Sequence, residues 1–290
     1  MEASQQNTHG FEYYKHSGKF APQALVIVPV MGILSALILG VVYGFLIFYC
    51  PFIYINFFIT LLFGGGVGLA VSVAVMWGKV RNLMLAGMFG LGAGALALYV
   101  SWVAWFYAGS KGEILIVDPA GLWRGIQHVA ANGAWELFGW QPVGFALYGI
   151  WAIEAAMVVG LAVMVALQKV SEIPFCEKSN NWLTEAEIVT PLGQINDPDE
   201  LRRSMENLDF LQLVDLNKAT DENNFTRVEF RQSQHNPEFC LISVVQVTRA
   251  EDDEGKIETN ENYVIRNFIL TQEVYNTLKN AWNESEVISA

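Results

Sequence analysis

Two long stretches of this chain contain no charged residue. The first runs from residue 20 to residue 78, between Lys19 and Lys79, and the second runs from residue 82 to residue 110. Because about 20 consecutive apolar residues are enough for one helix to cross a bilayer, both stretches predict membrane-spanning helices. Only 16% of the residues in the whole chain are charged, whereas ordinary soluble proteins contain about 25%. These features exclude a single soluble domain.

The first uncharged stretch must fold back on itself. As one helix, its 59 residues would be about 88 Å long, roughly three times the thickness of a bilayer core. Proline disfavours a helix interior, so Cys50-Pro51 is the predicted turn. We therefore predict four crossings, which form a transmembrane bundle over residues 24–168: residues 24–49, residues 52–77, about residues 83–107 and about residues 143–167.

Three of the predicted crossings carry small residues four positions apart. They are Gly64, Gly68 and Ser72 in the second, Ala86, Gly90 and Gly94 in the third, and Ala152, Ala156 and Gly160 in the fourth. Helices in a bilayer associate mainly through close backbone contact, which small residues permit. The pattern predicts a compact four-helix bundle in contact with membrane lipid. The same faces are also compatible with a homo-oligomer.

Basic residues that flank the crossings predict the orientation of the bundle, since they are enriched on the cytoplasmic side of membrane proteins. Five lie on one side and two on the other: Lys15, Lys19, Lys79, Arg81 and Lys169 against Lys111 and Arg124. This predicts a multi-pass protein of the cell membrane with both termini in the cytosol. Residues 1–23 then form a polar cytosolic segment, and residues 108–142 form an external loop.

The external loop has a pattern typical of a surface helix. Asp118-Pro119 supplies an N-cap and a first-turn proline, and Gly133 supplies a stop. The apolar residues between them recur every three or four positions, so this helix can lie along a membrane surface. It is either a lid over the outer helix ends or a binding element that uses Arg124 and His128.

Glu154 is the single acid within the fourth predicted crossing. A charge at the bilayer centre costs at least about 2.5 to 3.5 kcal/mol on insertion scales, so Glu154 is expected to face the bundle interior. A neutral carboxyl can donate a hydrogen bond to a polar side chain of another crossing. The available partners are Ser35, Tyr43, Asn56, Thr60 and Ser101. We predict an intramembrane polar site of Glu154, Asn56 and Ser101, which is either structural or a proton, cation or substrate site.

The negative charge of the chain is concentrated in its C-terminal part. Residues 169–290 contain 23 acids and 11 bases, whereas residues 1–168 contain six of each. An acidic surface repels the phosphates of nucleic acids and favours basic protein partners. We predict a hinge at residues 169–182 and an acidic cytosolic α+β domain at residues 183–290, which is long enough to bury one small core.

Within this domain the pattern predicts a helix, three strands and a second helix. Asp197-Pro198 starts the first helix, whose apolar face includes Leu208, and Thr271 caps the last one. The predicted strands are residues 226–232, 239–248 and 263–270, with a polar turn at residues 251–255. The first of these strands is expected to be half buried, with Glu229 on its open face.

Short signatures of catalysis and of phosphate or metal binding are absent from the sequence. The four histidines and three cysteines have no spacing suited to a metal site, and Cys176 is expected to be an ordinary buried thiol rather than half of a zinc pair. We therefore predict neither a metal nor a cofactor.

Three functions remain open. The first is a non-enzymatic membrane protein that anchors an acidic cytosolic module for a protein partner, as a subunit of a membrane assembly. The second is a small oligomeric transporter or channel component with Glu154 as a proton or cation site. The third is an intramembrane enzyme, for which several helices must bring polar residues to Glu154.

Overall fold

The computed structural model describes residues 12–50, 52–136, 139–251 and 256–286. The chain forms two compact units. The helical unit is Ser17–Glu172, and the α+β unit combines Met1–His16 with Ile173–Ala290. The predicted turn at Pro51 and parts of the predicted external loop (residues 137 and 138) and hairpin turn (residues 252–255) lie outside the described residues.

Four helices of the helical unit are long and apolar enough to cross a membrane. They are α1 (Ala24–Tyr49), α2 (Ile53–Trp77), α3 (Leu83–Gly109) and α5 (Phe145–Glu172). The four long apolar helices predicted from the sequence are thus confirmed. The last one extends five residues past the predicted end at residue 167, since a basic residue such as Lys169 is favourable in the last turn of a helix.

The shorter helix of this unit, α4 (Pro119–Asn132), has the caps that the sequence predicts. The Asp118 side chain accepts a hydrogen bond from the backbone N–H of Gly121. At the other end, Gly133 has a φ of 83°, which is a conformation that glycine adopts without steric cost.

Small residues bring the long helices into close contact. Gly64 and Gly68 of α2 lie against the backbone of α5 at Val158 and Ala162, and Gly90 of α3 lies against Ala162 from another side. A Cβ added at any of these glycines would be 2.8 to 2.9 Å from its nearest neighbour atom. The small faces predicted on α2 and α3 therefore pack as expected.

The face of α5 that carries small residues, predicted to lie at a helix interface, does not pack against another helix of the described structure. Ala152, Ala156 and Gly160 are exposed, and a Cβ added at Gly160 would meet nothing within 4 Å. The smooth surface at this interface comes from the glycines of α2 and α3, so α5 can use a face with larger side chains, such as Val158.

A further small face, on α1, was not predicted. It comprises Gly32, Ala36, Gly40 and Gly44, and it packs on α3. A Cβ at Gly44 would lie 2.5 Å from the backbone oxygen of Ser101. This close approach positions α1 for its role in the site described below.

The α+β unit contains a four-stranded antiparallel sheet. Its strands are β3 (Glu187–Leu192), β4 (Asn224–Ser233), β5 (Asn236–Glu251) and β6 (Ile257–Leu270), in that spatial order. A separate two-stranded hairpin is formed by β1 (Phe175–Cys176) and β2 (Asn181–Trp182). The helices are α6 (Pro198–Glu206), α7 (Leu211–Val214) and α8 (Gln272–Glu286). A C-terminal domain that combines a sheet with helices is confirmed.

The N-terminal segment belongs to this α+β unit. Residue Tyr13 forms a β-bridge with Phe268, the Tyr14 backbone N–H donates to Asn267 O at 2.9 Å, and Ile269 N–H donates to Glu12 O at 2.9 Å. The segment therefore pairs with the sheet at its β6 edge. It had been expected to stand apart as part of a polar tail.

The structure differs from the predicted pattern at several places in this unit. The segment predicted as a hinge contains the end of α5 and the β1–β2 hairpin, and β3 was not predicted. The first predicted helix ends at residue 206, because Leu208 has a φ of 62° and is 57% exposed. Strand β4 is covered on both faces: Glu229, predicted on an open face, is only 5% exposed.

Two arginines form ion pairs with the buried Glu229 carboxylate. Arg227 and Arg231 lie on either side of it, each with a nitrogen 3.0 Å from a Glu229 carboxylate oxygen. Arg227 also forms a bidentate pair with Glu261 at 2.8 Å. Hydrogen bonding to Arg227 lowers the pKa of Glu261 below its ordinary value.

Candidate functional site

Glu154 lies about a third of the way along α5, and its partner comes from α1. The Tyr43 hydroxyl donates a hydrogen bond to Glu154 Oε1. Of the five side chains that the sequence offered as partners, the structure places Tyr43 in this role. Small residues pack both helices against α3, since Gly44 of α1 lies against Ser101 and Gly90 of α3 lies against α5.

The Tyr43 ring is held firmly in place. It is 3% exposed and stacks on Phe63 of α2, with ring centroids 4.2 Å apart and planes 12° apart. A buried, stacked ring leaves its hydroxyl few alternative positions. The Tyr43 hydroxyl is therefore held in position to donate to Glu154.

A chain of hydroxyl groups continues from Glu154 to α2. The Tyr43 and Thr60 hydroxyl oxygens are 2.8 Å apart, and Thr60 donates to the backbone oxygen of Asn56 at 2.8 Å. The Tyr43 and Thr60 hydroxyls have one hydrogen each, and they link the Glu154 carboxyl to the backbone of α2.

Glu154 borders a cavity of about 420 Å³ in the helical unit. The lining residues come from α1, α2, α3, α5 and the segment after α4: Tyr43, Gly44, Ile47, Phe48, Cys50, Asn56, Phe57, Thr60, Ser101, Trp102, Trp105, Ala134, Trp135, Glu136, Ile150, Trp151, Ile153, Glu154 and Met157. The cavity therefore runs from the Tyr43–Glu154 pair to Cys50, at the end of α1, and to Trp135. This volume is in the range of sites for small organic molecules.

Two kinds of side chain dominate the lining. Glu136 and Glu154 contribute carboxyl groups, and the described lining residues include no lysine, arginine or histidine. Tryptophans form the wall on the α3 and α5 side: Trp102 contacts Trp151 edge to face, with centroids 4.9 Å apart, and lies 5.9 Å from Trp105. The cavity is thus both acidic and aromatic.

Asn56 and Ser101, predicted with Glu154 as one polar site, both line this cavity. Ser101 donates to the Leu98 backbone oxygen at 2.8 Å, so its hydroxyl serves its own helix. Asn56 Nδ2 donates to the Cys50 backbone oxygen at 3.4 Å. Its other amide atom, Oδ1, is buried without a hydrogen-bond partner among the described residues. That oxygen is therefore an unpaired acceptor on a residue that lines the cavity.

The predicted external residues lie elsewhere. Arg124 and His128 are exposed on α4, and His128 interacts with Asn132 one turn away. Neither borders the cavity. The loop residues that do border it are Ala134, Trp135 and Glu136, none of which the sequence predicts as a site residue.

Among the described residues, no group of three or more histidine, cysteine, aspartate or glutamate side chains is placed to hold a metal ion.

No protein-family model matches this chain, and neither a curated protein nor a solved structure matches it. The Glu154 site is therefore interpreted from its own geometry.

Proposed function

We propose that this protein is an integral membrane protein that binds a small ligand in the cavity around Glu154. The observation that carries the proposal is the continuity of that cavity from the Glu154 carboxyl to Cys50 and Trp135. An ionisable residue within an apolar helix marks a ligand or ion pathway when it faces a cavity. A carboxyl that served packing alone would be enclosed by its partners.

The proposed setting is the cell membrane, with both termini in the cytosol and the cavity opening on the external side. The excess of basic residues beside Lys19 and Lys79 supports this orientation. The pairing of Tyr13 with β6 supports an even number of crossings, because both ends of the helical unit continue into the same folded unit. Four crossings, an even number, meet that requirement.

Two methionines on α5 allow a direct test of the cavity. Met157 lines it, whereas Met164, about two turns further along the same helix, is 65% exposed on the outside of the helical unit. In the proposed membrane, Met164 faces lipid. We suggest comparing Met157→Cys and Met164→Cys, each combined with Cys50→Ser, in intact cells treated with a membrane-impermeant methanethiosulfonate.

The expected result is labelling of the Met157→Cys variant and none of the Met164→Cys variant, because thiols react only where water reaches them. Inside-out vesicles should reverse the outcome for Met157→Cys if the opening is external. Labelling only from the cytosolic side would overturn the orientation. Absence of labelling from both sides, in a variant that is folded and inserted, would overturn the proposed function.

A second function, in which the bundle anchors an acidic module for a basic protein partner, is favoured by how the α+β unit is built. It takes residues from both chain ends and contains all of the excess negative charge. Association with such a partner should weaken as salt is raised. The test is purification of the full chain at low and high salt. A monomer without any partner at native expression levels would refute it.

A further inference from the structure

We infer that the ligand of the Glu154 cavity is a lipophilic amine in its protonated form, meaning an ammonium group that carries an aromatic or alkyl tail. This inference rests on the proposed ligand-binding function and names the chemical class of the ligand. It draws on three features of the cavity: its charge, its rings and one unpartnered oxygen.

The charge of the lining selects a cation. Glu154 is partly buried on α5 and Glu136 is exposed in the segment after α4, while the described lining residues include no basic side chain. A charge interacts more strongly in a site surrounded by apolar helices than in water. An anionic ligand would meet two carboxyl groups and no compensating cation.

The aromatic rings favour an organic cation over an inorganic one. Among the described residues, seven rings line the cavity: Tyr43, Phe48, Phe57, Trp102, Trp105, Trp135 and Trp151. The faces of such rings attract ammonium groups, tryptophan most strongly, and they also bury an apolar tail. A bare Na⁺ or Ca²⁺ would need several oxygen ligands, whereas most of the described lining residues are aromatic or aliphatic.

The Asn56 amide favours an ammonium with N–H groups over a quaternary one. Its Oδ1 is buried and has no partner among the described residues, while its Nδ2 donates to the Cys50 backbone oxygen. A buried acceptor without a partner carries a desolvation penalty. A ligand N–H would remove that penalty, which a trimethylammonium group cannot do.

Four molecules that share a phenylbutyl tail and differ in their polar group separate the contributions of charge, N–H groups and apolar contact. We suggest calorimetric titration of the full chain, reconstituted in lipid nanodiscs, with 4-phenylbutylamine, its N-trimethylated form, 4-phenylbutanol and 4-phenylbutyrate. Empty nanodiscs correct for partitioning into lipid. The amine should bind saturably and most tightly, the trimethylated form more weakly, and the alcohol and carboxylate should not bind detectably.

Variants then locate the cation. Glu154→Gln should weaken binding of the amine by about 30-fold or more, as expected when one partner of a buried charge pair is removed. Glu136→Gln should have a smaller effect, because Glu136 is exposed and water weakens its interaction with a cation. Glu113→Gln is the matched control, since this acid lies outside the cavity lining. A loss in Glu154→Gln counts only if the variant keeps the thermal stability of the unmodified protein.

The outcomes distinguish this inference from the proposed function. The amine should also protect the Met157→Cys variant from the methanethiosulfonate. If Met157→Cys is labelled but the alcohol binds as well as the amine, or the amine neither binds nor protects, the cavity remains a binding site and the amine class is wrong. If Met157→Cys cannot be labelled and the amine does not bind, both are wrong.

Discussion

The two units of this protein differ in how each is packed internally. In the helical unit the closest contacts are made by glycines, such as Gly44 against Ser101 and Gly64 against Val158. In the α+β unit the core contains large side chains, including Phe230, Phe268 and Trp282.

The difference reflects the surroundings in which each unit must be stable. Lipid tails are as apolar as leucine, so large apolar side chains gain little by moving from lipid to a helix interface, and close backbone contact decides the packing. In water, burial of each large apolar side chain contributes roughly 1.5 to 3 kcal/mol. The exposed apolar side chains of α1, such as Ile38 and Val26, are consistent with a lipid environment.

The largest expected effect is on the α+β unit. Phe230 is 1% exposed and contacts the rings of Tyr275 and Trp282. Phe230→Ala should lower the free energy of unfolding of this unit by about 3 to 5 kcal/mol, through lost burial and a cavity. Thermal unfolding and limited proteolysis of the full chain would measure it. Ile257→Ala, at a position 64% exposed, is the control and should change little. Equal effects would show that this core is loosely packed.

A smaller effect is expected where the helical unit is tightest. Gly44→Ala places a methyl group 2.5 Å from the Ser101 backbone oxygen, which should cost about 1 to 3 kcal/mol. It should also weaken ligand binding, because α1 carries Tyr43. Gly92→Ala is the matched control, since its Cβ meets nothing within 4 Å. Thermal stability in detergent is the measurement. If both variants are equally stable, close helix contact is not what holds this unit together.

The smallest effect concerns the N-terminal segment. Tyr13 donates a hydrogen bond to Glu206 at 2.8 Å and packs on Phe268. Tyr13→Phe keeps the ring and removes the hydroxyl, so it should cost about 1 kcal/mol. Tyr263→Phe, which retains a ring under Arg266, is the control. Hydrogen exchange at the Tyr14 backbone amide would report the release of the segment.

The same contact has a defined pH dependence. Burial, followed by the hydrogen bond to Glu206, raises the pKa of Tyr13 from 10.0 to about 12. Because the pKa is higher in the folded state, the contribution of Tyr13 is fully present below pH 10 and is lost as the pH rises towards 12. Tyr13→Phe should remove this part of the alkaline destabilisation. An unchanged profile would mean that Tyr13 is not docked in solution.

Some of the site was within reach of the sequence. Glu154 stands out because a lone acid in an apolar helix is costly, and Tyr43 was one of five possible partners. The sequence could not select among them, since the choice depends on how closely α1 approaches its neighbours. That approach is set by Gly40 and Gly44, whose spacing along α1 is a detectable signal that went unused.

Other differences have a similar origin. Strand β3 has only six residues, which give a weak pattern. The end of α6 before Leu208 depends on a positive φ at that residue, which few leucines adopt. Burial of Glu229 depends on Arg227 and Arg231 in the folded sheet. Alternation of polar and apolar residues predicts an open face, and it carries no information about ion pairs that close that face.

Local chemistry alone determined the four long helices, the caps of α4 and the division between an apolar front half and an acidic domain. Each depends on hydropathy, charge or capping within a few consecutive residues, and these act before distant contacts form. Only the tertiary structure decided which face of α5 is buried and that Tyr43, Asn56, Trp151 and Glu136 surround one cavity. In a uniformly apolar helix every face is equally compatible with lipid, so the neighbouring helices, rather than the pattern along the chain, select the buried one.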